Sequence, residues 1–172
     1  PEEMLHLLFA QNRPRDIRVL WSVLITTGMR LDEASLLTTS SIKTEKGIRY
    51  FDLTEAIVKN KGSARKVPVP SVITGLIGVY LPEIKGQRLF DFPIDADGKA
   101  QNAASKKCMR YVRKITNDPQ LVVHSMRHNF KDFSRNAGVP KDLHDFITGH
   151  PGGDTASSYG EGHSLAVKYE AL

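Results

Sequence analysis

Two histidines, His124 and His128, stand four residues apart in the stretch HSMRHNF, with Arg127 between them. On a helix that spacing puts both imidazoles on one face, an arrangement that raises the question of zinc. A zinc site needs three or four ligands, and an HExxH pattern needs glutamate directly after the first histidine, where Ser125 stands. The single cysteine, Cys108, lies in a basic segment. Metal is therefore disfavoured, and His128 reads better as a buried, hydrogen-bonded histidine. Arg127 offers donors in a rigid planar fork that suits two phosphate oxygens. Arg30 follows TTGM ahead of a predicted helix, where its side chain can enter a cleft. Either arginine alone reads first as a solvated or salt-bridged surface group. In KNKGSARKVPVP, residues 59–70, lysines fall on a predicted hairpin turn. From there an ammonium can protonate an oxygen leaving phosphorus, although basic hairpin tips are commonly just solvated. Finally, ITGHPGGDTASSYGEG, residues 147–162, holds an isolated Tyr159 among serines, glycine and glutamate. Either it decorates a surface loop or its hydroxyl has work to do.

These residues need elements to carry them. Residues 2–9 predict a short helix, and Pro14 opens another that runs through IRVLWSVLITTG until Gly28 ends it. Leu31 to Leu37 predicts a second, with Asp32 and Glu33 at its positive N-terminal end. The period then changes: 48–53, 56–59 and 65–69 read as short strands around a polar turn at 60–64, and Pro68 confines the last to an edge or strand end. Helices are predicted over 71–81, 102–116, 124–137 and 140–149, the third stopped by Gly138 and the fourth by Gly149, with 91–101 a loop. A last helix is predicted over 163–171, with Ser164 as its N-cap. The fold class is mainly α with a small antiparallel β-sheet (α+β), in one domain over 1–172.

Composition narrows the function classes. The 172 residues are 40% hydrophobic and 25% charged, which supports a sizeable core and argues against wholesale disorder. One cysteine excludes an internal disulfide framework, and no apolar run is long enough for a membrane helix. Lysine plus arginine number 24 against 19 acidic residues, a net charge of +5 that favours a polyanionic partner weakly. The basic residues gather at 13–18, 59–66 and 106–114.

Together, TTGMRLDEASLL, KNKGSARKVPVP, HSMRHNF, ITGH and Tyr159 resemble the catalytic domain of the tyrosine recombinases, the phage integrase family. That family shows TG-x-R-x-x-E-x-x-x-L, a lysine-bearing β-hairpin, H-x-L-R-H-T-F, and a GH element whose histidine precedes the nucleophilic tyrosine by nine residues. Here Tyr159 follows His150 by nine, and the five elements occur in the family's order across almost the whole chain. The resemblance implies Arg30 and Arg127 as the two active-site arginines, His124 as the histidine of the HxxR element and His150 as the histidine before the nucleophile. It implies Tyr159 as the nucleophile, Glu33 as an acidic residue supporting an arginine from behind, and His128 as a structural histidine. The hairpin lysine is Lys61, with Lys59 the alternative, since the usual position falls between them on Asn60. Met126 and Asn129 depart mildly from the motif, and the polar Thr148 is expected to alter local packing without touching the chemistry.

The implied reaction is site-specific strand cleavage and rejoining through a 3′-phosphotyrosyl intermediate, in phage or mobile-element integration and excision, with no cofactor and no metal. The arginines and His150 would stabilise charge on the phosphate, His124 would accept the tyrosine proton, and the lysine would protonate the leaving 5′-oxygen. The implied partners are double-stranded DNA at a specific recombination site, accessory DNA-bending proteins, and further protomers in a homo-tetramer, the isolated domain being a monomer. The implied place is a bacterial host cytoplasm, on DNA. The chain, which starts at Pro1, reads as the C-terminal fragment of a longer integrase without its N-terminal core-binding domain. Its last helix is similar to a segment that often packs on a neighbouring protomer. A type IB topoisomerase-like relaxation activity and an inactive DNA-binding module are the rival readings.

Overall fold

A computed structural model describes residues 10, 12–53, 64–150 and 162–172. The predicted helix at 2–9 and strand at 56–59, together with Lys59, Lys61 and Tyr159, lie outside those residues.

Helix α1 (Arg15–Thr27) starts behind Pro14, whose missing N–H matters least at a helix entrance. It is the central element: Ile17, Val19, Leu20, Trp21, Val23 and Leu24 are all buried, on more than one face. Neighbouring helices therefore surround it, chiefly α3 (Ser71–Tyr80) and α5 (Ser125–Asn136). Trp21 is fully buried and meets Tyr111 edge-on at 6.2 Å. Burying each such large side chain stabilises the fold by ~1.5–3 kcal/mol. The short α2 (Leu31–Ser35) follows α1 and packs on α4 (Gln101–Val112).

Three antiparallel strands, β1 (Ile42–Glu45), β2 (Ile48–Asp52) and β3 (Lys66–Pro68), lie in that order. Phe51 on β2 faces Ile42 on one side and Val67 on the other, which sets the register of both pairs. Pro68 sits on the outer strand as expected. Strand β1 was not expected, because IKTE has a single apolar residue to reveal alternation. Its hairpin partner is fixed by the turn instead: Lys46 and Gly47 both take positive φ, 49° and 82°, the geometry of a two-residue β-turn.

Helices α6 (Lys141–Thr148) and α7 (Leu165–Glu170) complete the described chain. Ser164 caps α7 by accepting the Val167 N–H at 3.3 Å. That helix lies on β3 and β2 of its own chain, with Leu165 and Lys168 buried. In α3, Ile73, Ile77 and Tyr80 recur at helical spacing on the buried side, whereas Gly75 and Gly78 meet nothing on the other. Packing of one face thus outweighs the poor helix propensity of the sequence. The architecture is mainly helical with one small antiparallel sheet, as the sequence predicts.

Candidate active site

Arg30 closes the turn between α1 and α2. Gly28 makes that turn, with φ of 62° and its N–H bonded to Leu24 O at 3.0 Å. No larger residue fits, since an added Cβ would run into the Phe130 ring and come within 2.8 Å of Thr148 Cγ2. Glu33, one turn into α2, folds back on the chain entrance. Its carboxylate accepts the Arg30 N–H and the Arg30 guanidinium, each at 2.9 Å. The same carboxylate takes a two-pronged pair from Arg65, at 3.0 and 2.9 Å. Arg65 donates further to Ile147 O at 2.8 Å, and Arg30 to Gly149 O at 3.0 Å. Burial works against the charge on Glu33, but hydrogen bonds and charge from Arg65 and Arg30 outweigh it and hold the carboxyl below its usual range. One carboxylate thus ties α2, the approach to β3 and the end of α6.

Arg127 comes from the first turn of α5 and is buried. It donates to Gly28 O and, at 2.9 Å, to His150 Nδ1. Among the described residues no carboxylate lies within ion-pair distance of it. Burial, followed by the Arg30 charge, lowers its pKa to about 10, so it remains charged at neutral pH. A guanidinium can only donate, so His150 Nδ1 must accept, and the ring proton belongs on Nε2. Lys131, one helical turn after Arg127, brings its ammonium to 3.3 Å from the same Nδ1. Thr148 Oγ1 is 2.9 Å from it. His150 is exposed as a residue, but partial desolvation of its ring and then the Arg127 and Lys131 charges lower its pKa to about 4. His150 is accordingly a neutral imidazole at pH 7.

His124 precedes α5, and its ring meets His128 edge-on at 4.8 Å. Partial burial of the ring first, then its neighbours His128, Arg127 and Arg30, lower its pKa, which keeps it free to accept a proton. Arg30, Glu33 and His124 line one cleft of about 380 Å³ together with Asp32, Gln101 and Ser105.

The structure therefore brings Arg30, Glu33, His124, Arg127 and His150 into one neighbourhood. His128 is corrected: it is exposed, not buried. Helix α5 buries Met126, Arg127, Phe130 and Ser134, and a residue one step past Arg127 turns toward solvent. Thr148 is corrected too, because its hydroxyl reaches His150. Arg65 and Lys131 are additional residues that the motifs did not single out. Each had a signal. Arg65 shares the inward period-2 face with the buried Val67 and Val69, and Lys131 is four residues from Arg127 on the same helix. Among the described residues, no group of three His, Cys, Asp or Glu is placed to hold a metal ion. No described helix is long and apolar enough to cross a membrane.

No protein-family model and no curated protein matches the chain. Solved structures do. XerA recombinase is 19% identical with a TM-score of 0.66, over 91% of this chain and 56% of that one. The XerH site-specific recombinase bound to its difH substrate is 20% identical with a TM-score of 0.60, over 88% and 45%. The Tn1549 transposon integrase in complex with a circular intermediate DNA is 16% identical with a TM-score of 0.65, over 96% and 60%. The chain thus spans about half to three-fifths of each of these proteins. Its fold is that of the tyrosine recombinase catalytic domain.

Proposed function

We propose that the chain is the DNA-cleaving and rejoining part of a site-specific tyrosine recombinase, serving integration or excision of a phage or other mobile element. The observation that carries this reading is the cluster of Arg30, Arg127 and His150, in which Arg127 has no counter-carboxylate among the described residues. Such a cluster is electrostatically incomplete without an anion, and a phosphodiester in its charged transition state supplies one. The fold supports the reading, as do the neighbours named above, two of which are DNA complexes; a further neighbour is a lambda integrase tetramer bound to a Holliday junction.

In this reading, Tyr159 oxygen attacks phosphorus in line and the bond from phosphorus to the 5′-oxygen breaks. Its phenolic proton goes to His124, which is neutral at working pH. Arg30, Arg127 and His150 Nε2–H stabilise the non-bridging oxygens. Lys61, or Lys59 in its place, gives a proton to the departing 5′-oxygen, and reversal onto a partner strand reseals the DNA. Double-stranded DNA is the substrate, and a homo-tetramer on it is the working assembly.

The test is incubation with a nicked suicide DNA substrate that traps the covalent adduct. The wild-type chain should form a denaturation-resistant protein–DNA adduct that Tyr159→Phe abolishes. Adduct formation undiminished in Tyr159→Phe would overturn the assignment of the nucleophile.

A further inference from the structure

We propose that Lys131 is a positioning residue for His150: with Arg127 it holds Nδ1 as an acceptor, so that the ring presents Nε2–H to the phosphate. This deepens the function proposed above and rests on it for the identity of the phosphate.

The geometry carries the argument. Lys131 is only 16% exposed, and its ammonium forms an ion pair with Asp145 Oδ1 at 2.9 Å. Asp145 is itself held by Lys141 at 2.8 Å on its other oxygen. The ammonium therefore sits fixed between the Asp145 carboxylate on α6 and the back of the His150 ring. Two cations, Arg127 at 2.9 Å and Lys131 at 3.3 Å, face one nitrogen. A proton on that nitrogen would point at donors on both sides, so the N–H tautomer there and the imidazolium are both disfavoured. Thr148 Oγ1 also lies 2.9 Å from this nitrogen, but its proton goes to His144 O at 2.8 Å, so the two cations and not the hydroxyl decide the tautomer. The charged groups acting on His150 are Arg127 and Lys131 from α5, Asp145 from α6, and Arg30 from the turn before α2. Of these, Asp145 alone favours the imidazolium, and Lys131 neutralises it. Arg127 must also serve the phosphate in the proposed reaction, whereas Lys131 is committed to Asp145 and to the ring. It can keep the tautomer fixed while Arg127 changes partners. The ammonium faces Nδ1, the side of the ring away from the proton to be donated, which distinguishes its part from that of a general acid.

The experiment uses the uniformly 15N-labelled chain and long-range proton–nitrogen correlation spectra across pH 4.5–8. Wild-type His150 should show a bare Nδ1 and a protonated Nε2, neutral down to about pH 5. Lys131→Met removes the cation and leaves Asp145 to act on the ring, so the His150 midpoint should rise by roughly one pH unit or more. Lys131→Gln, which can still hydrogen-bond Asp145, should give the same rise, and Lys131→Arg should restore the wild-type midpoint. A wild-type spectrum with the proton on Nδ1, or midpoints unmoved in both neutral variants, would overturn the proposal. Loss of folding in both would also overturn it, by making Lys131 a strut.

On the suicide substrate, Lys131→Met should slow adduct formation by about tenfold at pH 7 with DNA affinity within about twofold of wild type. Weaker DNA binding with a shallower salt dependence would instead make Lys131 a phosphate contact. Rescue by a 5′-thio leaving group would make it the general acid. Either result overturns the positioning role. If no DNA yields an adduct with the wild type, the recombinase reading fails while the spectra still decide the tautomer.

Discussion

Arg30 leans on a buried carboxylate, whereas Arg127 leans on a carbonyl and an imidazole. Around Arg30 the charges are paired, one carboxylate to two guanidiniums: Glu33 accepts from Arg30 and Arg65 at 2.9–3.0 Å, and the guanidiniums also donate to Gly149 O and Ile147 O. Around Arg127 they are not. Arg30 and Arg65 add like charge, Glu33 and Asp145 offset it without touching the guanidinium, and the hydrogen-bonding side chain is a neutral histidine. The first node fixes position and supports the fold. The second stores an excess of positive potential that an anion can relieve. A site for a phosphodiester needs both, since a fully neutralised pair of arginines would have little left to offer the transition state.

The contrast breaks most visibly at Glu33. Glu33→Gln removes the counter-charge of the buried Arg65 and should cost about 3–5 kcal/mol of stability, the usual penalty for stranding one member of a buried pair. The pH dependence has a defined sign. The folded carboxyl titrates below its unfolded value, so its stabilisation is fully present above about pH 4.3 and is lost as pH falls through the folded pKa. Urea denaturation of both proteins from pH 3 to 8 checks this: the variant should lose stability at neutral pH and show a flatter acid limb. A loss below about 1 kcal/mol at pH 7 would mean that the node is not a structural tie.

Arg127→Met tests the other node and should reverse the balance of effects. Removing the guanidinium leaves Gly28 O without its donor but also relieves like-charge repulsion, so stability should fall by only about 1–2 kcal/mol, less than in Glu33→Gln. Strand cleavage on the suicide substrate should nevertheless fall by about 10²–10³, the usual loss when one donor to the transition-state oxyanion is removed. Stability loss as large as in Glu33→Gln would erase the distinction between the two nodes.

This asymmetry was half legible in the sequence. The residues that motif spacing singled out, Arg30, Glu33, His124, Arg127 and His150, meet in one neighbourhood, each at a helix entrance, turn or cap that local residues specify. Gly28 and Gly149, for example, end their helices in left-handed geometry as expected. What binds the elements to one another was not legible. Arg65 lies 32 residues from Glu33, and no local period encodes that pairing. Period-2 alternation put Arg65 on the inward face, yet inwardness alone does not name the carboxylate it finds. His128 went wrong for a related reason: two histidines four apart do share a helix face, but which side of that face meets solvent depends on where α1 lies. Strand β1 shows the same limit, since its pairing is imposed by β2 and the turn, not by its own weak alternation.

Thr148→Val should give the smallest effect, and it probes the border between the two nodes. Thr148 is fully buried, and its hydroxyl lies 2.8 Å from His144 O and 2.9 Å from His150 Nδ1. Valine keeps the shape, so the expected loss is about 1 kcal/mol, that of a net hydrogen bond. The pH profile carries more information than the size. Folded His150 titrates at about 4, below its unfolded value, so its contribution is fully present above about pH 6.5 and is lost as pH falls through that folded value. His124 and His144 are shifted in the same direction and share the sign. If the cations on α5 hold Nδ1 as an acceptor, the hydroxyl, whose proton goes to His144 O, does not decide the tautomer, and Thr148→Val should leave the slope between pH 6.5 and 4 unchanged. If Thr148 instead accepts a proton from Nδ1, valine would remove support for that protonated nitrogen and the slope would steepen. A steeper slope in calorimetric unfolding would place the His150 proton on the wrong side of the ring for a phosphate, and the poised node would lose its donor.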